Sequence, residues 1–490
     1  MIRGVTVAAS GHTLTQALTL AVYLVLARLA TPADFGQLAA GSILISVGLL
    51  FTEAGMAAAL VQRRDRIEEA AATAVISTFA AGALFALLAF AASPLIGQFF
   101  DSGKVAAVAA AVSGLLLLRT IPVVPNALLQ RRFSFIRRMI VEPAGVVALG
   151  ITAIIATANG LGVWGLVLGH YAAAVTDVVL SWSLVRWRPQ LGLASLEMWR
   201  QLIRYGRYVF ISTAVDRVNL QIPVALIGRF VGSGPLGQYR YASRMASAPF
   251  EAMLAGASYV IFPAFARIAD DADRFRAAFV RALGWMATIG IPSGLILLPF
   301  GRPLAELVFG SVWIPAGEAA MALCLFPAAG ALFSVVAEAF TANGRTELLL
   351  RMVFVQLLLG GIAMVAFVPL GLIGVSAGLS LGSVGAAVYA LYLAHVVVGV
   401  PARSIAHQIG PPLVAAAAMA GVMLPLEAWV VRAAEHGTVP GLLLLTAELA
   451  TAAFVYVLLL HVLAPGRLRE FARDMRMAIP SRTGDRPTTA

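Results

Sequence analysis

Charged residues and cysteine are both scarce in this chain of 490 residues. Asp, Glu, Lys and Arg together make up 12% of the sequence, about half of their share in an average soluble domain. The single cysteine, Cys324, can form neither an intrachain disulfide nor a cysteine-based zinc cluster, and we interpret it as a small core residue. The sequence contains no P-loop, dinucleotide-binding glycine fingerprint, HExxH or GxSxG motif. These absences argue against the nucleotide, zinc-peptidase and serine-hydrolase chemistries that such motifs support.

Apolar residues dominate the rest of the chain. Hydrophobic side chains make up 60% of it, and its mean hydropathy is +0.89. The apolar segments mostly run for about 20 residues or more, the length of a helix that crosses a hydrocarbon core of about 30 Å. Because lipid offers the backbone no hydrogen-bond partners, only helices or a closed barrel can span it, and no segment shows the alternation over about 10 residues that barrel strands need. The sequence therefore predicts an all-α polytopic membrane protein.

Polar breaks divide the apolar sequence into about fourteen candidate transmembrane helices. His12 and Gln16 interrupt the first of them, so we interpret it as a retained span and not as a cleaved signal peptide. The candidate spans lie near residues 7–29, 35–60, 71–96, 105–128, 139–158, 162–185, 207–228, 235–262, 280–300, 316–342, 347–368, 371–395, 411–431 and 440–463.

Arginine supplies nearly all of the basic residues, and it concentrates on one side of the predicted membrane. The N-terminus and the loops after even-numbered spans carry most of it, including the QRRDR segment at 62–66 and the Arg-rich tail. Basic loops face the cytoplasm, so both termini are predicted to be cytoplasmic. The net charge of +11 is then explained by basic residues that face anionic lipid headgroups, and no nucleic-acid partner is needed to explain it.

Three sequence segments recur in the two halves of the chain. RLATPADFGQ returns as RFVGSGPLGQ, which pairs Gly36 with Gly237 and Gln37 with Gln238. This repetition predicts a duplication of six spans, and parallel repeats form two lobes with a site between them near the membrane midplane. The paired segments are 28–37 with 229–238, 93–100 with 302–309, and 160–169 with 369–378.

The longest connection between predicted spans joins the two copies. In it Leu196, Trp199, Leu202 and Ile203 share one helical face and Ser195 can cap the helix, which predicts an amphipathic helix in the cytoplasmic interface; a plain linker is the alternative. The predicted organisation is an N-lobe of spans 1–6 at 1–187, an interfacial amphipathic helix at 188–206, a C-lobe of spans 7–12 at 207–400, spans 13 and 14 at 401–465, and a cytoplasmic tail at 466–490.

Four blocks of the sequence resemble one family. The blocks are LATPADFGQLAAGSILISVGLLFTEAGMAAALVQRRD (29–65), NALLQRRFSF (126–135), LIGRFVGSGPLGQYRYASRMASAP (226–249) and FPAFARIADDADRFRAAF (262–279). In these blocks the chain is similar to the polysaccharide transporter (Wzx-type) branch of the multidrug/oligosaccharidyl-lipid/polysaccharide flippases. This resemblance implies transport of polyprenyl-diphosphate-linked oligosaccharide repeat units across the bacterial inner membrane, for exopolysaccharide or lipopolysaccharide biosynthesis. The implied partners are membrane lipids, a polysaccharide polymerase and export machinery.

Ionisable residues inside the predicted spans are the candidates for function, because each costs roughly 2.5–3.5 kcal/mol at a helix centre on insertion scales. Guanidinium groups bind phosphate oxygens in pairs of hydrogen bonds, so arginines that face a cavity suit a diphosphate. Members of the family often carry an acid shortly before the IGR element, where this chain has Pro223. If that acid couples ions in relatives, this chain either lacks the coupling or has moved it to Asp216. The candidates are Arg119, Arg217, Asn219, Gln221, Arg240 and Arg244 for substrate binding, Asp216, Glu53 and Glu251 for ion coupling or cavity charge, and His12 and Gln16 for cavity lining.

Structural roles compete with these assignments. Asp216 and Arg217 could instead form buried ion pairs with another span, Glu53 and Glu251 could form hydrogen bonds within a lobe, and the arginines of the eighth span could extend to the membrane surface.

The predicted function is a flippase that works by alternating access. It breaks no bond and so is not expected to be an enzyme, and it needs no metal or organic cofactor, although proton or sodium coupling is possible. A cation-coupled multidrug exporter is the nearest rival, but the first span holds no acid to attract a cationic drug. A membrane polymerase or ligase is less favoured because the outward loops look short, and a peptidoglycan lipid-precursor flippase stays open because its headgroup is physically similar.

Overall fold

All regular secondary structure that the computed structural model describes is helical. The described residues are 2–53, 55–63, 65–131, 135–185 and 187–467, and no strand occurs among them. Short 3-10 or π segments lie at Leu191–Leu193, Ser311–Trp313, Val368–Leu370, Ala394–Val398, Leu426–Val431 and Ala433–His436. The α-helices are α1 Ile2–Leu29, α2 Pro32–Gly41, α3 Ile43–Glu53, α4 Met56–Gln62, α5 Ile67–Phe99, α6 Gly103–Thr120, α7 Val123–Arg131, α8 Phe135–Ala158, α9 Val163–Val185, α10 Leu196–Phe230, α11 Ser233–Arg267, α12 Ala272–Leu295, α13 Leu297–Phe309, α14 Ile314–Ala322, α15 Leu325–Ala342, α16 Thr346–Phe367, α17 Gly371–Leu393, α18 Ala402–Pro425 and α19 Thr438–Leu463.

The chain is a multi-pass helical membrane protein, as predicted. Nine helical runs in its described part are long and apolar enough to cross a membrane, or ten if the pair α12 and α13, bent by 52°, is one span. One of the nine runs, Glu347–Val398, contains both α16 and α17. The predicted spans 7–29, 207–228 and 235–262 lie on α1, α10 and α11, which are 28, 35 and 35 residues long. The total of fourteen crossings stays a prediction.

Side-chain caps start several of these helices. Thr31 forms a capping box with Asp34 at the start of α2, and the side chains of Ser102, Ser195 and Asp271 accept the backbone N–H three residues further on at the starts of α6, α10 and α12. A cap of this kind is worth about 1 kcal/mol. The starts of these helices are therefore determined by the local sequence.

The second predicted span is not one helix. Residues 35–60 fall on α2, α3 and α4, with Ser42 between the first two and Gly55 immediately before α4. Gly55 has φ 71°, a left-handed conformation that glycine adopts without strain. Glycine and serine lower the hydropathy of a window only slightly, so the apolar pattern extends across both breaks.

The predicted interfacial helix and the seventh span form a single helix. α10 runs from Leu196 to Phe230 without a break. At its start Met198 and Leu202 are fully buried against α5 and α4 residues such as Ala70 and Leu60, while Leu196 and Trp199 are exposed. The face that packs on the protein is therefore centred on Met198, one residue before Trp199 of the predicted apolar face. The placement of this segment in the interface stays a prediction.

The described residues divide into two compact units. The first is formed from Met1–Ser243, Val308–Ala319 and Gly360–Leu379. Its α8 and α9 pack along each other, as do α5 and α6, and its apolar cores surround Leu116 and Leu60.

The second unit is formed from Arg244–Leu307, Ala320–Leu359 and the described residues of Ser380–Ala490, which end at 467. There α12 packs on α15 and α18, and α18 packs on α19. The core contains the fully buried Phe279 and Phe340, and the buried Tyr456 donates its hydroxyl to the carbonyl of Thr288 at 2.7 Å. The last two helices are thereby tied to α12.

Candidate functional site

The two copies of the repeated segment at 28–37 and 229–238 meet in the first unit. A methyl group on Gly36 would overlap the carbonyl oxygen of Ser233, and one on Gly237 would overlap the carbonyl oxygen of Pro32. The starts of α2 and α11 therefore touch backbone to backbone, which is possible only because both residues lack a Cβ. We refer to this crossing of Gly36 and Gly237 as the glycine contact.

Hydrogen bonds to backbone carbonyls hold the surroundings of the glycine contact. The buried Trp313 donates Nε1–H to the carbonyl of Ala27 at 2.9 Å, and Ala27 belongs to the last turn of α1, where carbonyls have no partner within the helix. Gln238 donates Nε2–H to the carbonyl of Val312 at 2.7 Å. These bonds fix α1 and α11 to the residues around Trp313.

An aromatic cluster fills the space beside these bonds. It consists of Tyr23, Phe35, Tyr241, Phe309 and Trp313. The rings of Tyr241 and Trp313 have centroids 4.0 Å apart, and the Tyr241 hydroxyl donates to the carbonyl of Tyr23 at 3.0 Å. Packed aromatic pairs add about 0.5–1.5 kcal/mol each beyond the area they bury. The cluster thereby fills this part of the unit with packed aromatic rings.

Asp34 connects the glycine contact to α9. One carboxylate oxygen accepts the backbone N–H of Val163 at 3.0 Å, and the other accepts both the backbone N–H and the hydroxyl of Thr31 at 3.0 and 2.7 Å. The buried carboxylate thus lies at the N-termini of α2 and α9, where negative charge is stabilised. Lys104 reaches the same carboxylate only at 3.9 Å.

Two of the predicted substrate-binding arginines act electrostatically on one histidine. The guanidinium groups of Arg119, in the last turn of α6, and Arg240, in the second turn of α11, both interact electrostatically with the ring of His170 on α9. The ring is half-buried and its Nδ1 is 2.9 Å from the carbonyl of Leu166, while both arginines are exposed. We call Arg119, His170 and Arg240 the basic cluster. Its two guanidinium groups offer the paired donors that phosphate oxygens accept.

The seventh span places its polar residues on two faces. Arg217, Asn219 and Gln221 are all half-buried. At about 100° per residue, Arg217 and Gln221 share one face of α10, and Asn219 projects about 160° away from Gln221. α10 therefore cannot direct all three side chains at the same chemical group of a ligand.

Of the other predicted residues, the structure describes the side chains of some and not of others. Arg244 follows Arg240 by one turn on α11 and is half-buried, and Glu251 on the same helix and Gln16 on α1 are exposed. The side chains of Asp216, Glu53 and His12 lie outside the described residues. The predicted roles of all these residues stay predictions.

One acidic residue and the aromatic cluster were not assigned from the sequence. Asp177, which received no role, lies within hydrogen-bond distance of Asn126 and Ser181 at 3.4 and 2.9 Å. The aromatic cluster was not predicted at all, because its members come from segments of the chain hundreds of residues apart. The pairing of Gly36 with Gly237 in the repeat was the signal available for this region.

The chain is similar to proteins of polysaccharide biosynthesis. A family described as "Polysaccharide biosynthesis protein" matches residues 25–318. The lipopolysaccharide biosynthesis protein WzxC of Escherichia coli (strain K12) is 23% identical over 342 residues, and the match covers 66% of each chain. The succinoglycan biosynthesis transport protein ExoT of Rhizobium meliloti (strain 1021) is 25% identical over 293 residues, covering 59% of this chain and 58% of ExoT. The chain thus spans about two thirds or less of the length of these curated relatives.

Two solved structures share the fold of this chain. The lipid II flippase MurJ in its inward closed conformation superposes with a TM-score of 0.73 at 14% identity, covering 96% of this chain and 99% of MurJ. An inward-facing multidrug resistance MATE family transporter of the MOP superfamily gives a TM-score of 0.63 at 17% identity, with 79% and 94% covered. The resemblance derived from the sequence motifs is confirmed by the family match, and the fold is one shared by flippases and exporters.

Proposed function

We propose that the chain, which belongs to the polysaccharide biosynthesis protein family, is a Wzx-type flippase that translocates polyprenyl-diphosphate-linked oligosaccharide repeat units across a bacterial inner membrane. It does so for exopolysaccharide or lipopolysaccharide biosynthesis. The chain makes fourteen crossings with both termini in the cytoplasm, breaks no bond, and delivers its product to a polymerase.

The observation that carries the choice of substrate is the basic cluster. Arg119 and Arg240 come from different helices and both act electrostatically on the ring of His170, so two positive charges share one region of the first unit. A diphosphate carries several oxygens that accept paired N–H donors, and arginine suits it better than lysine because its donors are planar and fixed. A cationic drug would be repelled by the same cluster, which disfavours the multidrug exporter.

Translocation then follows an alternating-access cycle. The diphosphate and sugars enter a cavity from the cytoplasmic side and bind the basic cluster, with Arg217 and Arg244 along the path and Gln221, on the Arg217 face of α10, meeting sugar hydroxyls. Asn219, on the other face, does not contact the same sugars. The polyprenyl tail stays in the bilayer. Asp216, Glu53 and Glu251 adjust the charge of the cavity, and His12 and Gln16 line it.

The glycine contact and the aromatic cluster close the side opposite to the cytoplasm in this cycle. The arginine distribution puts Arg28 and Arg229 on that side. A closure that consists of touching backbones and packed rings admits neither water nor sugar, and it must open to release the substrate outward.

The test is to find where lipid-linked oligosaccharides accumulate in cells that lack this gene. Complete repeat units are expected to accumulate on the cytoplasmic face, and the wild-type gene is expected to restore transfer. Arg119→Ala should fail to restore it at normal protein level, whereas Arg302→Ala, an exposed arginine on α13 outside the basic cluster, should restore it.

The rival functions give different results in the same cells. If repeat units cross normally and peptidoglycan precursors accumulate instead, the chain is a peptidoglycan lipid-precursor flippase. If neither lipid accumulates and drug sensitivity rises, it is a multidrug exporter. Either result overturns the proposed substrate.

A further inference from the structure

Two buried carboxyl groups face each other in the last two helices of the second unit. Glu427 follows Pro425 in the segment Leu426–Val431 that extends α18, and Glu448 lies in the third turn of α19. Glu427 is 7% exposed and Glu448 is 5% exposed, and the two carboxyl groups interact directly. Neither residue belongs to the repeated part of the sequence.

The hydrogen-bond partners of the two groups differ. Both oxygens of Glu427 accept the backbone N–H of Ala433, at 3.1 and 3.3 Å, which ties the end of α18 to the connection that leads into α19. Neither oxygen of Glu448 meets a donor among the described residues. A buried carboxylate without a donor has lost its hydration with no replacement, which costs several kcal/mol.

The charged groups nearby do not neutralise the two carboxyl groups. The Arg432 guanidinium is paired with Glu435 at 3.4 Å, and the His436 ring lies against the carbonyl of Val431. Of the charged groups that the structure describes, Glu427 is the one that acts on Glu448. The remaining ionisable side chains on elements around the pair are Tyr456, which donates to Thr288, and Arg302, Glu306, Arg403, His407 and His461.

The other ionisable groups of α18 and α12 lie in the first turns of these helices, far from the carboxyl pair. Arg403 and His407 lie in the first two turns of α18, and residues 273–281 of α12 carry its charges in the first three turns. Glu427 lies about 20 residues, or roughly 30 Å of helix, further along from His407. These groups are therefore remote from the carboxyl pair.

We propose that Glu427 and Glu448 form a binding site for a single proton inside the membrane. Ionised carboxylates carry only hydrogen-bond acceptors, so two of them can meet only when one is protonated and donates to the other. Ca²⁺ would need about six to eight oxygen ligands, and no group of three or more acidic, His or Cys side chains that could hold a metal occurs in the described residues.

The bound proton determines how the last two helices pack. While it is present, the carboxyl pair links α19 to the end of α18. When it leaves, two negative charges face each other in a medium of low dielectric constant, and the pair must separate or admit water. The site is thus a place where proton binding changes helix packing, and it stands independently of which substrate the protein carries.

Infrared spectroscopy of the full-length protein in lipid vesicles tests the site. With glutamate carboxyls labelled with ¹³C, the wild type at pH 6 is expected to show the C=O band of one protonated, hydrogen-bonded carboxyl per chain. The band should disappear in Glu448→Gln and in Glu427→Gln and persist in Glu435→Gln, an exposed acid beside the pair. Glutamine has the shape of protonated glutamate, so folding is expected to be kept.

Three results would overturn the proposal. The first is a wild-type spectrum with no protonated glutamate band, which needs no variant. The second is a band that survives in both Glu448→Gln and Glu427→Gln. The third is equal loss of thermal stability in wild type and Glu448→Gln as the pH is raised, since only the wild type should lose stability through repulsion within the pair. None of these readouts depends on transport, so failure of the flippase proposal is a separate result.

Discussion

Gly36 and Gly237 hold matching positions in the two copies of the repeated segment, and in the structure each lies against the backbone of the other copy. A methyl group at either position would overlap a carbonyl oxygen, that of Ser233 or that of Pro32. The repeat therefore supplies both halves of a contact in which the absence of a side chain is the required feature.

Gly36→Ala is expected to slow translocation by roughly tenfold or more. Overpacking of this kind costs about 1–3 kcal/mol, and the cost falls on the conformation in which the helix starts touch. Alanine stabilises a helix relative to glycine by up to about 1 kcal/mol. A slower translocation rate could therefore not be explained by a weakened α2. The measurement is the rate at which repeat units reach the outer face in complemented deletion cells.

Gly234→Ala is the matched control for the glycine contact. Gly234 lies in the same turn of α11 as Gly237, and a methyl group there meets open space. Wild-type rates in Gly36→Ala or in Gly237→Ala would show that the contact is not needed in the cycle. The double variant should cost less than the sum of the two single variants, because both disrupt one contact.

Trp313→Phe is expected to lower thermal stability. The ring volume is largely kept, but the carbonyl of Ala27 at the end of α1 loses its donor, and an unsatisfied buried carbonyl costs about 1–3 kcal/mol. Trp429→Phe is the control, because Trp429 is 77% exposed and should change the unfolding temperature little. Equal unfolding temperatures for the two variants of the purified protein would contradict the role given to Trp313.

Asp34→Ala should destabilise the protein more than Lys104→Ala. Removal of the carboxylate leaves the N–H of Val163 at the start of α9 without its acceptor and ends the capping box of α2, and together these losses are worth about 2–4 kcal/mol. The ammonium of Lys104 is half-exposed and 3.9 Å from Asp34, so its loss should cost at most about 1 kcal/mol. Thermal unfolding of both variants decides the order, and a larger effect of Lys104→Ala would contradict this assignment.

The apolar pattern predicted the helical class and the approximate positions of the helices, but not where they break. Ser42 and Gly55 interrupt the second predicted span without lowering its hydropathy enough to be noticed. At Gly206 the error was the opposite. The glycine and its charged neighbours suggested a boundary between two helices, but α10 continues through this position. A glycine inside a helix costs only about 1 kcal/mol, which the packing of Met198 and Leu202 outweighs.

The candidate site was predictable where one helix or one repeat defined it. Arg119 was selected as a base within a span, and the structure adds its relation to His170 and Arg240. That relation depends on how three helices pack, which no spacing in the sequence encodes. The same holds for Glu427 and Glu448, which are 21 positions apart and meet because the connection between α18 and α19 turns the chain back.

Arg119→Lys and Arg240→Lys should each retain the charge of the basic cluster and still impair transport. Lysine is a compact cation that cannot reproduce the fixed pair of donors that guanidinium offers to a diphosphate. Loss of one paired, charge-assisted interaction is worth about 1.5–3 kcal/mol, so binding of a short-chain prenyl diphosphate sugar to the purified protein should weaken by roughly 10- to 100-fold. The same ligand with a monophosphate should bind wild type more weakly and be less affected by either substitution, because it offers fewer oxygens. If lysine binds the diphosphate as well as arginine does, the cluster acts only through its charge, and another pair of donors must recognise the headgroup.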